Sequence, residues 1–243
     1  MTTSRLPAHP RRKQTGRNME ALRINGTEKR KRGDLSAEKI AAQALALIDS
    51  EGLDGFSYRT LAARLGCQAM SLYHYFPSKA HLFEALVDIC ISECPVPNAK
   101  GWRDELKGLC LAYRQVALHH PGFFPYFAIF RMNHRSGMAF LDQILRIFEA
   151  TGLPPRERAI LFRTISYYVT GAGLDESLGY AKGPSAVEPI TDNEAALQFP
   201  SVMAVGPYFA RSHHEEIFLT GLETLLDGVQ AAIDRHAQTL DQR

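Results

Sequence analysis

The stretch "LAARLGCQAMSLYHYFPSK", residues 61–79, constrains the fold more than any other part of the chain. A short run with apolar periodicity stops at Gly66. A second short run carries Gln68, Ser71, Tyr73, His74 and Tyr75. Pro77 ends it just before Ser78, a side chain suited to capping a further helix. Two stubby helices joined at a Gly-containing turn make a helix-turn-helix. There the first helix holds the second, and the second fits the major groove of B-DNA, about 12 Å wide. Leu61, Ala62, Leu65 and Leu72 are placed to bury inward, which leaves Gln68, Ala69, Met70, Ser71, Tyr73 and His74 on or near the rim. Gln68 and Ser71 suit hydrogen bonds to base edges, and Ala69 and Met70 suit a thymine methyl. Tyr73, Tyr75 and Lys79 suit phosphates. Helix, glycine, helix is equally at home in any helical bundle, so the surrounding sequence has to decide.

Charge is the first such neighbour. Residues 1–33 hold ten Lys/Arg and two acids, a net of +8, while the remainder of this chain of formal charge +2 carries −6. A basic arm on a mildly acidic body points to a polyanion partner reached from one end, and Lys31 and Arg32 lie closest to the ordered part. Such an arm can lie in the minor groove beside a groove-docked helix. Its low content of large apolar residues predicts disorder in the free protein, and Met19 inside it is an alternative start of translation.

From Ser36 the pattern is helical. Ser36 and Ser57 read as N-caps, with staples Leu35/Ile40 and Phe56/Leu61. Helices are expected from Ser36 to Gly52, over 58–65, 69–75 and 79–91, then over 102–120, 122–132, 136–151, 155–179 and 213–236, with a short one near 192–198. No strand pattern or repeat emerges. "CPVPNAKG", residues 94–101, reads as a linker. The expected organisation is therefore all-α: a basic arm (1–33), a three-helix helix-turn-helix domain with a fourth helix (34–93), the linker, and a helical domain (102–243). No apolar run approaches the roughly 20 residues that span a bilayer, and no apolar segment follows the basic N-terminus to make a secretory signal. Four cysteines in 243 residues do not make a disulfide framework. The expectation is a cytoplasmic protein with reduced thiols and no membrane association.

The stretch "ALALIDSEGLDGFSYRTLAARLGCQAMSLYHYFPSKAHLFEAL" resembles the DNA-binding domain of the tetracycline-repressor (TetR) family. The resemblance covers about 45 residues with specific spacing. It implies a dimeric transcription regulator, usually a repressor, that leaves its operator when a small ligand binds. It places Arg59, Gln68, Ala69, Met70 and Ser71 at or near bases, and Tyr73, Tyr75 and Lys79 at phosphates. The family often reads Tyr-x-His-Phe where this chain has Tyr73-His74-Tyr75-Phe76, so Tyr75 stands in place of the usual His. From Gly101 onward the chain resembles, more loosely, the C-terminal domain of the tetracycline repressors. That implies an internal cavity and a dimer interface.

The residues of the second half agree in outline. Phe218, Leu222, Leu225 and Val229 repeat at helical period, as do Ile165, Val169 and Ala172, and the two stripes are expected to build a two-fold four-helix interface. The same periodicity suits core packing within one subunit. Gly221 and Gly228 are expected to let another helix approach closely. The aromatic density of "HPGFFPYFAIFRM" and its surroundings suggests a small-molecule pocket lined by Trp102, Tyr113, Phe123, Phe127, Phe130, Phe140 and Tyr167, with His134 and Asp175 among its polar groups and Arg114 and Arg163 as further polar candidates. Aromatics at helical spacing serve a core as readily as a pocket. No metal site and no cofactor are expected: His119-His120 and His213-His214 are adjacent pairs that chelate poorly, and Cys90/Cys94 has no second pair at zinc-ribbon spacing. No nucleophile elbow, phosphate loop or zinc-protease motif is present, so an enzyme is not expected. The expected effector is lipophilic or aromatic and metal-independent. The competing reading is an activator or architectural DNA-binding protein with no effector.

Overall fold

The computed structural model describes residues 35–179 and 187–242, all as helices and connecting turns. Lys31, Arg32 and the rest of the expected basic arm lie outside the described residues. Helix α1 (Ala37–Gly55) starts where Ser36 accepts a hydrogen bond from the Lys39 N–H. Its stripe Ile40, Ala41, Ala44, Leu45, Leu47 and Ile48 is buried. Gly52, where the helix was expected to end, leaves helical geometry at φ 77°, and one irregular turn follows to Gly55. Helix α2 (Tyr58–Leu65) opens on a full capping box: Thr60 N–H donates to Ser57 Oγ at 3.1 Å, and Ser57 N–H donates to Thr60 Oγ1 at 2.9 Å. Gly66 ends α2 at φ 67°, a left-handed geometry that costs a Cβ-bearing residue about 1–2 kcal/mol. The chain then turns directly into α3 (Ala69–Tyr73). Ser78 caps α4 (Lys79–Ser92). Helix α3 stops two residues short of the expected Tyr75, because Phe76 is pulled into the core and Tyr58 holds its carbonyl. Leu61, Ala62, Leu72, Leu82, Phe83 and Leu86 form the core beneath the helix-turn-helix. Each of these leucine and phenylalanine side chains contributes about 1.5–3 kcal/mol of burial, the Ala62 methyl less, offset by chain entropy.

Residues 95–100 have no regular structure. The second half comprises α5 (Trp102–His119), α6 (Phe124–Ile129), α7 (Arg135–Glu149), α8 (Pro155–Leu178), α9 (Asp192–Gln198), α10 (Pro200–Val205), two 3-10 turns, and α11 (His214–Asp241). Helix α6 is shorter than expected. The N–H groups of Gly122 and Phe123 are taken by the Asp49 carboxylate, so the helix starts after them. Helix α10 was not foreseen, although Pro200 at its first turn is a start signal. Helix α11 runs five residues past the expected end. Among the described residues no helix is long and apolar enough to cross a membrane.

The two stripes assigned to a dimer interface turn out to be largely core. Phe218, Leu222 and Val229 are buried against the chain's own α5 and α8, and Leu225 is half-buried. Ile165 and Val169 are also buried, and Ala172 is half-buried. Gly221 does permit a close approach, but by Tyr168 of the same chain: a Cβ there would lie 2.3 Å from its hydroxyl oxygen. Periodicity identified the buried faces and could not distinguish their partners.

Candidate nucleic-acid interface and effector cavity

Helix α3 presents one face outward. Leu72 is fully buried, whereas Gln68, Met70, Tyr73, His74 and Tyr75 are exposed and Ala69 and Ser71 are half-buried. Gln68 occupies the N-cap position without capping the helix through its side chain, so its amide is available to a partner. Arg59, on α2, is exposed. Tyr58 braces the unit from behind. Its ring stacks on Tyr73 at 4.5 Å and 10°, and its hydroxyl lies 3.0 Å from the Phe76 carbonyl and 2.9 Å from that of Ser78. Burial pushes its phenol up to about 12.

Two side chains expected at phosphates carry structural duties. The Tyr75 hydroxyl donates to the Leu35 carbonyl at 2.7 Å, so its proton is committed to the start of α1. The Lys79 ammonium lies over the rings of Phe56 and Phe83, at 5.4 and 4.9 Å, while the residue stays exposed.

A cavity of about 190 Å³ lies between α5, α6, α7 and α8. Tyr113, Phe127, Phe130 and Phe140 line it as expected from sequence. Ile165 and Val169 line it too, instead of an interface between chains. Phe148, Phe162 and Ile144 complete its apolar wall, and Arg163, Ser166 and Thr170 bring polar groups from α8. Helical spacing from Phe162 would have found this face of α8: residues 162, 166, 169 and 170 share it.

Other expected lining residues sit elsewhere. Trp102 is at the start of α5, half-buried and away from the cavity. Phe123 is fully buried edge-on to Phe83 at 5.6 Å. His134 precedes α7, its Nε2 3.0 Å from Asp88 Oδ1. Tyr167 is 66% exposed, with the Arg163 guanidinium 4.6 Å over its ring. Asp175 lines a separate outer groove with Tyr168 and His214. Arg114 is closed off altogether: its guanidinium meets Glu176 at 2.9 Å with both side chains under a tenth exposed, and lies 4.9 Å over Phe218.

Helix α4 connects the two sites. At one end it carries the α3–α4 turn. Along its length Phe83 packs edge-on against Tyr126 of α6 at 4.9 Å, and Asp88 accepts from His134 and, at 2.5 Å, from the Ser136 hydroxyl at the start of α7. The next residue on α6, Phe127, and Phe140 on α7 are cavity wall. A third tie joins α5 to α1 and α4. His120 Nδ1 lies 2.8 Å from Asp49 Oδ2, and its Nε2 lies 3.0 Å from Glu93 Oε1. These carboxylates, Asp49 first, raise the His120 pKa above its ordinary value. Gly122 is fixed here by space: a Cβ would lie 2.2 Å from the Ile48 carbonyl oxygen.

On the face of α8 turned away from the cavity, Ile160, Thr164, Tyr167, Gly171, Asp175 and Leu178 form an exposed strip. Ile217, Thr224 and Gly228 do the same on α11, and Gly171 and Gly228 open onto free space.

Residues 40–86 match the family described as bacterial regulatory proteins, tetR family, and residues 94–233 match the tetracyclin repressor-like C-terminal domain. The tetracycline repressor protein class A from transposon 1721 of Escherichia coli is 31% identical over 202 residues, covering 80% of this chain and 90% of the repressor. The transcriptional repressor DrrR1 of Streptomyces coeruleorubidus is 28% identical over 214 residues, with 82% and 78% covered. The crystal structure of ActR, a TetR family protein of Streptomyces coelicolor in complex with (S)-DNPA, superposes with a TM-score of 0.63 at 27% identity, covering 82% of this chain and 98% of ActR. An outward-facing helix-turn-helix mounted on an all-helical domain with an internal cavity is thus found in a chain that belongs to the TetR family of bacterial transcription regulators.

Proposed function

We propose that this chain is a repressor that binds a palindromic operator as a homodimer and is released when a small aromatic or lipophilic effector fills the cavity. The observation that carries the reading is the position of α4. It holds the recognition helix at one end and touches, through Tyr126 and His134, two of the four helices that wall the cavity. An effector that binds one setting of α4 better than another shifts the protein towards that setting. Two-fold pairing fits the exposed strips on α8 and α11, where Gly171 and Gly228 leave room for a second copy. Pairing doubles the few bases that one short α3 reads. The relatives named above support the same assignment. A DNA-binding regulator acts where the chromosome is, which is the cytoplasm.

Selection from a random duplex pool, followed by a salt titration on the enriched site, tests this. The expected result is a site of two inverted half-sites, with log K falling by about 0.9 per neutralised phosphate for each unit of log salt. Failure to enrich any sequence would contradict it. An enriched palindrome whose affinity responds to no cavity ligand would favour an effector-free regulator.

A further inference from the structure

His120, at the end of α5, has a carboxylate on each ring nitrogen. Nδ1 lies 2.8 Å from Asp49 Oδ2 on α1, and Nε2 lies 3.0 Å from Oε1 of Glu93, the residue that closes α4. A neutral imidazole has one donor nitrogen and one acceptor, and only the imidazolium donates from both. Both contacts are therefore made only while the ring is protonated, and the carboxylates, Asp49 first, favour that form. When the proton leaves, one nitrogen turns a lone pair towards a carboxylate oxygen. The two carboxylates are not equally free to withdraw. Asp49 Oδ1 is also held by the N–H groups of Gly122 and Phe123, at 3.1 and 3.3 Å, whereas the Glu93 side chain is 36% exposed. The neutral ring thus keeps its Nδ1–H on Asp49 and lets Glu93 go. The other titratable groups at this junction are His119, whose Nδ1 lies 3.6 Å from Glu93 Oε2, and the thiols of Cys90 and Cys94. Burial raises both thiols above their ordinary values, so they stay neutral. The cavity gives the direction of the effect. At about 190 Å³ it is smaller than the roughly 300–1,000 Å³ of ligand pockets, so an effector has to spread its walls, and α4 leans on two of them. The setting in which Glu93 grips His120 is the one an effector opposes.

We propose that the proton on His120 is a second regulator of operator binding: it ties the end of α4 to α5 and α1, holds the DNA-binding setting, and on leaving as pH rises frees Glu93 and eases release from DNA. This rests on reading α4 as the link between cavity and recognition helix. Fluorescence anisotropy of the full chain on the selected operator, at pH 6 and pH 8, tests it. Affinity is expected to be about fivefold or more weaker at pH 8, the low end of coupling between sites. By reciprocity, 2-naphthol is expected to bind the chain more tightly at pH 8 than at pH 6 in calorimetric titration. Glu93→Gln keeps the contact in both ring states, because an amide accepts from the imidazolium and donates to the neutral ring. It is expected to hold at pH 8 the operator affinity it has at pH 6. Glu93→Ala loses the contact in both states and is expected to be weak at both pH values, and His120→Gln is expected to abolish the slope. His74, exposed on α3, is present in all of these proteins, so any slope it supplies survives every variant. Wild-type affinity that is equal at the two pH values, or a slope that survives both Glu93→Gln and His120→Gln, overturns the proposal. If 2-naphthol still weakens operator binding in that case, the release reading stands. A slope that vanishes in Glu93→Gln while bound 2-naphthol leaves operator affinity unchanged upholds the proton link and overturns release by the cavity.

Discussion

His120 Nδ1 lies 2.8 Å from Asp49 Oδ2, and through that contact the end of α5 is joined to α1 of the helix-turn-helix. Glu93, at the end of α4, faces the other ring nitrogen, and His119 stands 3.6 Å from the same carboxyl group. Because these carboxylates raise the pKa of His120, the charged imidazolium is favoured in the folded chain. A raised folded-state pKa gives stability that is fully present below the unfolded value of about 6.5 and is lost as pH rises through the folded value. The unfolding midpoint of the chain is therefore expected to fall between pH 6 and pH 8, and this component of the fall should be missing in His120→Gln. At pH 6, His120→Ala is expected to cost about 1.5–3 kcal/mol, the range for a hydrogen bond to a charged group. Denaturant melts at the two pH values check both statements.

The same junction makes Gly122 irreplaceable. An alanine Cβ would meet backbone, 2.2 Å from the Ile48 carbonyl oxygen and 2.7 Å from the Asp49 Cα, and backbone in a helix does not swing aside. Gly122→Ala should cost about 1–3 kcal/mol or more, as overpacking does. Wild-type stability in this variant, measured by chemical denaturation, would show that the junction is looser than described.

On α3, different residues should fail in different ways. Gln68→Ala is expected to lose about 1–3 kcal/mol of operator affinity and little affinity for unrelated duplex, which is the mark of a base contact. Tyr75→Phe should behave otherwise, because its hydroxyl proton is committed to Leu35. Its expected cost is about 1 kcal/mol of folding stability, with the salt slope of DNA binding unchanged. Parallel titrations on specific and non-specific duplexes separate the two.

Gly228 opens onto free space on an exposed strip of α11, so a large side chain there harms no contact within the chain. Gly228→Arg should leave the folded monomer intact and shift sedimentation velocity from dimer towards monomer. It should also weaken operator binding. A variant that remains dimeric would move the interface away from this face.

Much of the helix-turn-helix was legible because its signals are local. Ser36, Ser57 and Ser78 cap where expected, Gly66 turns where expected, and the apolar stripe of α1 is the buried one. The cavity was half legible. Tyr113, Phe127, Phe130 and Phe140 line it, but Phe123 is core and Tyr167 is outside. Helical period reports that a residue is covered and is silent on whether a neighbouring helix, a void or a second chain covers it. For that reason the period of Phe218, Leu222 and Val229 suits an interface and a core alike, and the structure buries them within the chain, while Arg114, polar and helical, gives no sign in the sequence of its pairing with Glu176 62 residues away.

The central claim is that cavity and recognition helix are coupled through α4. Fluorescence anisotropy of the selected operator, titrated with protein in the absence and presence of saturating 2-naphthol, a small aromatic probe for the cavity, tests it most directly. The account predicts weaker operator binding with the cavity filled, by a factor of about 5–150, and an equal weakening of naphthol binding when operator is present. Operator affinity that stays the same, or rises, while calorimetry shows the cavity occupied would contradict it.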